Sequence, residues 1–148
     1  MILTSPSFEN NGPIPKKFSC EGGDINPELQ IQNVPPGTQS LALIVHDPDA
    51  PMKGGFTHWV LWNIDPAQPV IKEESMPPGA VEGTNGAGKI GYMGPCPPPG
   101  HGTHHYQFRL YALDVPLELP PSTKATDLEA EIEKHLIESA DLVGLYSR

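Results

Sequence analysis

Apolar and polar residues alternate most strictly in two stretches of the chain. Leu29-Gln30-Ile31-Gln32-Asn33-Val34 alternates until Pro35-Pro36-Gly37, which reads as a strand stopped by a turn. From His104 to Asp114 the two-residue period puts Tyr106, Phe108, Leu110 and Ala112 on one face, and His104 begins that face. Ser40–Asp47 is apolar on both faces, the mark of a buried strand, with residues 41, 43, 45 and 47 on a common side. Asp47 therefore ends a face otherwise made of leucine and valine, so it lies at the sheet rim or needs hydrogen-bond partners. His58–Ile64 is rich in aromatic and branched residues and predicts a further strand, entered from Gly54-Gly55 and ended before Pro66.

Two regions break the period. Pro77 to Gly102 shows no convincing strand, and so long a loop in a compact domain is usually functional or else marks a misassigned element. The segment Thr126–Ile137 places Leu128, Ile132 and Leu136 on one helical face, with Thr126 as the expected cap and an acidic, solvated outer face. The chain holds 19 prolines and 15 glycines interleaved with the apolar runs, which favours short strands and rigid loops over long helices. With no repeat and no visible linker, residues 1–148 are expected to form a single, mostly β domain.

The formal net charge of −9 repels a phosphate backbone and an anionic membrane surface, so nucleic acid is not an expected partner. An anion must then be held by a local cluster of donors. No apolar run approaches the roughly 20 residues that stable membrane insertion needs, and Met1–Pro6 does not resemble a secretory leader. Cys20 and Cys96, far apart in such a chain, are expected as free thiols, and the location as cytoplasmic.

Three segments crowd unusual residues at strand ends: Asp47-Pro48-Asp49-Ala50-Pro51, His58-Trp59, and Gly94–Gly100 leading into His101–Tyr106. Prolines stiffen the backbone around Asp47 and Asp49, and an X-Pro bond here is a candidate for the cis form. If the strand ends meet, one concave site gathers the imidazoles of His58 and His104, the Tyr106 phenol and the Asp47 carboxylate. Imidazole and phenol donors suit a phosphate or carboxylate oxygen.

Taken together, Asp47-Pro48-Asp49-Ala50-Pro51, His58-Trp59, Gly94-Pro95-Cys96-Pro97-Pro98 and His104-His105-Tyr106 resemble the signature of the phosphatidylethanolamine-binding proteins. The resemblance runs from about Ser5 to the last residue, with Tyr92-Met93 and Phe108–Asp114 in support, and is greatest to compact prokaryotic members of a group that includes the Raf kinase inhibitor protein. It implies an antiparallel β-sandwich with a few short helices, one near the C-terminus. It also implies a pocket for phosphate, phosphoethanolamine or carboxylate, formed by Asp47, His58, Gly94, Pro95, His104 and Tyr106, and supported by Asp49, Pro51, Trp59, Cys96 and Pro97. No cofactor or catalysis is implied, and a kinase or a serine protease is the protein partner known for some members. The family usually has arginine where this chain has His105, and strand parity points that residue away from the pocket.

The alternative from the residues alone is a metal-dependent hydrolase, with His101, His104, His105, Asp47 and His58 as nitrogen and oxygen ligands. Their spacing matches no helical ligand pair. No G-x-S-x-G elbow occurs, and Cys96 has no evident orienting partner beyond nearby His101.

Overall fold

A computed structural model describes all residues, Met1–Arg148, as two packed sheets with one helix behind the larger. The strands are β1 (Ile2–Thr4), β2 (Gly12–Pro13), β3 (Leu29–Gln32), β4 (Ser40–Asp47), β5 (Phe56–Ile64), β6 (Val70–Ile71), β7 (Val81–Glu82), β8 (His104–Leu113) and β9 (Leu136–Tyr146). The helix α1 spans Ala125–His135, and Lys16–Phe18 form a single tight helical turn. One sheet has the order β1-β3-β6 and the other β2-β9-β8-β4-β5-β7. The expected antiparallel sandwich is thus present, with β2 against β9 as its one parallel pair.

Alternation explains the layers. Leu41, Leu43 and Val45 of β4 join Tyr106, Phe108, Leu110 and Ala112 of β8 in the core shared with the small sheet, completed by Leu29, Ile31 and Ile71. The opposite side of β4 and β5, through Ala42, Ile44, Val60 and Trp62, packs on Leu128 and Ile132 of α1. That double burial is why Ser40–Asp47 shows no polar face.

The helix differs from its expectation at both ends. Lys124, not Thr126, occupies the cap position, and it makes no side-chain capping bond. Leu136 is exposed and begins β9, so the helical period extends one apparent turn too far. β9 itself was hidden in the sequence, because Glu138, Ser139, Asp141 and Gly144 interrupt its pattern, yet it pairs with β8 along its whole length.

The cysteine expectation is overturned: Cys20 and Cys96 form a disulfide with Cα atoms 5.5 Å apart. The pairing removes the thiol argument for a reducing compartment. Every peptide bond is trans, including those around Pro48 and Pro51. No helix is long and apolar enough to cross a membrane.

Candidate functional site

The site lies where the C-terminal end of β4, the start of β5 and the start of β8 meet at one rim of the large sheet. Antiparallel register places Asp47 opposite Phe56. His104 and Tyr106 enter on the core face of β8, as the two-residue period requires. His58 reaches the same side by a different device. Val45 faces Trp59 but His46 faces Thr57, so β5 carries one extra residue there, and that bulge turns His58 inward although Trp59 also points to the core. The loop entering β5 turns at Gly55, with φ +77° and only 2.3 Å between a hypothetical Cβ and the Asp47 carbonyl oxygen, so only glycine fits.

A cavity of about 250 Å³ opens between these elements, lined by Asp47, His58, His104 and Tyr106 at its polar base. Ala50, Pro51, Met52, Phe56, Met93, Pro97 and Pro98 supply apolar walls, and Gly94 and Cys96 complete the lining. Pro95 and Trp59, expected at the pocket, lie elsewhere. The Pro95 carbonyl accepts the Cys20 N–H, and Trp59 is buried in the core with its Nε1 donating to Glu82. Asp49 stands beside the cavity as a brace: its N–H donates to Asp47 Oδ1, and its carboxylate accepts from both the N–H and the ring of His105.

Asp47 and His104 are both almost fully buried, with Oδ2 and Nδ1 2.6 Å apart. A carboxylate can only accept, so Nδ1 of His104 carries the proton. Nε2 of His104 in turn meets Nδ1 of His101 at 2.7 Å, extending the pair towards solvent. Both ring nitrogens of His104 are therefore engaged, and His104 reaches a ligand only when His101 moves aside. Nδ1 of His58 lies 2.7 Å from the Met93 carbonyl and must donate to it, which leaves Nε2 without a partner in the cavity it lines.

One buried donor at the site has no protein partner. The Tyr106 hydroxyl is buried and unpaired, and burial first, then the neighbouring Asp47 carboxylate, hold its pKa well above the phenol range, so it keeps its proton. In the wall, Gly94 N–H is taken by Asp24 Oδ1 at 2.7 Å, the prolines have no N–H, and the amide of Cys96 lies against the Tyr106 oxygen. Asp24 carried no signal in the sequence, and Met93 only that of a supporting stretch in the resemblance. His101 was visible there only as a potential metal ligand.

The expected metal set is not assembled. His105 points outward to Asp49, His104 is committed to Asp47 and His101, and nowhere do three or more His, Cys, Asp or Glu side chains group as metal ligands. Cys96, held in the disulfide, has no thiol to act as a nucleophile.

Burial depresses the pKa of His58 below its ordinary 6.5, against the opposing pull of the Met93 carbonyl and Asp47. Below 6.5 the unfolded chain takes up a proton that the folded ring resists, so stability from this residue is present above that pH and lost as pH falls. Urea melts at about pH 7.5 and about pH 5.5 are expected to show a smaller loss on acidification in His58→Gln than in the unaltered protein. His105→Arg is expected to leave anion affinity within about threefold, well under the tenfold of 1.4 kcal/mol. The ring is exposed, and an arginine would keep the partner Asp49; calorimetric titration of the variant measures this.

The fold and rim pocket define a small β-sandwich with a ligand-sized cavity set around a buried carboxylate–imidazole pair. The model of the phosphatidylethanolamine-binding protein family matches residues 4–147, and the chain belongs to that family. It is 49% identical to a UPF0098 protein of Pyrococcus horikoshii over 99% of this chain and 77% of that protein. A phosphatidylethanolamine-binding protein homolog from Chlamydia trachomatis superposes with a TM-score of 0.94 at 40% identity, covering 99% of this chain and 97% of the other. YbcL of Escherichia coli gives 0.94 at 30% identity with the same coverage.

Proposed function

We propose that the protein is a binding module, not a catalyst, and that its rim pocket holds a small anionic group such as phosphate, a phosphoethanolamine headgroup or a carboxylate. The observation that carries this is the Tyr106 hydroxyl, buried at the base of a cavity with no partner. Leaving such a donor unsatisfied costs about 1–3 kcal/mol, which an oxyanion ligand would recover. Asp47 and Asp49 keep the loop and the His104 ring in place, and the apolar walls exclude water from the anion. If the protein also meets a kinase or a serine protease, its net charge of −9 favours a basic partner surface.

Titration calorimetry with phosphoethanolamine tests this reading. Tyr106→Phe is expected to weaken binding by about tenfold, or 1.4 kcal/mol, while thermal stability is unchanged or raised because an unpaired polar group has gone. Equal affinity in the variant, or no binding by the unaltered protein, would overturn the assignment.

A further inference from the structure

Resting on that anion-binding reading, we infer that the pocket selects a singly charged oxyanion that still carries a proton, a phosphomonoester monoanion, and rejects sulfate. The selection follows from which atoms in the cavity donate and which accept. Tyr106 Oη is the buried donor without a partner there, and it suits one unprotonated oxygen. His58 Nε2 is a lone pair, because its other nitrogen must give its hydrogen to the Met93 carbonyl. A lone pair facing an oxyanion is repulsive unless the ligand itself supplies a hydrogen. A phosphomonoester monoanion does so near neutrality, its second pKa being about 6. Sulfate is fully ionised over the same range and has no hydrogen to give. Carboxylates, with an ordinary pKa of about 4, are rarely protonated there either.

The charges around His58 point the same way. From β4 it is faced by Asp47, with His46 on the strand's other side bonded to Thr57 and Gly54; from β8 by Tyr106, which stays a neutral phenol, and beyond it His104; Asp24 lies behind the wall. No lysine or arginine lines the cavity, so a dianion would meet the Asp47 carboxylate without a compensating cation. Burial keeps the His58 ring from taking up the proton that a dianion would need. His58 is then the residue that reads the protonation state of the ligand, and Tyr106 the one that reads its charge.

The test is calorimetry of the full chain with methyl phosphate, a simple phosphomonoester, and with sulfate at about pH 6.5, in two buffers of different ionisation enthalpy. Methyl phosphate is expected to bind at least about tenfold more tightly than sulfate, equivalent to 1.4 kcal/mol. Its affinity should fall as pH rises past the ligand's pKa of about 6, with close to one proton taken up per site at about pH 8. His58→Gln replaces the lone pair with an amide that also donates, so the preference over sulfate should shrink towards parity. Should that variant fail to fold, the proton count and the sulfate comparison on the unaltered chain still decide. Equal binding of both anions without proton uptake would overturn the selectivity and leave the anion pocket standing. Binding of neither would overturn both.

Discussion

Asp47→Ala is expected to destabilise the protein by about 3–5 kcal/mol, the range for removing one member of a buried pair. The carboxylate accepts from the Asp49 amide through one oxygen and from His104 through the other, and both Asp47 and His104 are almost fully buried. Deleting it strands the His104 Nδ1–H in the core with nothing to replace the acceptor. The loop from Pro48 to Pro51 also loses the bond that fixes its first turn. Urea denaturation measures the loss, and Asp47→Asn separates its parts: an amide oxygen still accepts from His104, so about half the effect should return. A change below about 1 kcal/mol in Asp47→Ala would show that the pair is not the keystone of the site.

Gly94→Ala should have an effect of similar size by a steric route. A Cβ at this position would lie 2.1 Å from the Phe18 carbonyl oxygen, 2.6 Å from Asp24 Oδ1 and 2.9 Å from the Ser19 Cα. Two of these are backbone atoms held by the disulfide and by the Cys20–Pro95 hydrogen bond, so they have little room to yield. The wall must move outward instead, breaking the Asp24–Gly94 bond and shifting Cys96 away from the Tyr106 hydroxyl. We expect a loss of about 2–3 kcal/mol in stability and of at least tenfold in anion affinity, or 1.4 kcal/mol. Thermal melts and calorimetry read the two separately. Retention of both would mean that the wall is softer than its contacts require.

Sequence legibility followed the regularity of each element. β4 and β8 were visible to within a residue because burial on one or both faces imposes a strict apolar pattern on them. β9 was not, since most of its residues are half-buried or exposed and need no such pattern. At the site, parity placed His104 and Tyr106 together, but it could not assign His58 and Trp59. The bulge that brings His58 to the cavity depends on pairing with β4 and leaves no local trace. Pro95 and Trp59 sit within the recognisable motifs yet serve the wall's attachment and the core, respectively. The disulfide was equally hidden, with a sequence separation of 76 and contact made only through tertiary packing of the wall on the Phe18–Asp24 segment.

The most direct test of the anion pocket is a nitrogen-resolved NMR titration of the six histidine rings with phosphoethanolamine. The account predicts that His58 and His104 shift, with His101 following as it leaves His104, while the rings of His46, His105 and His135 stay where they are. Shifts confined to those outer rings, or none at all, would contradict it.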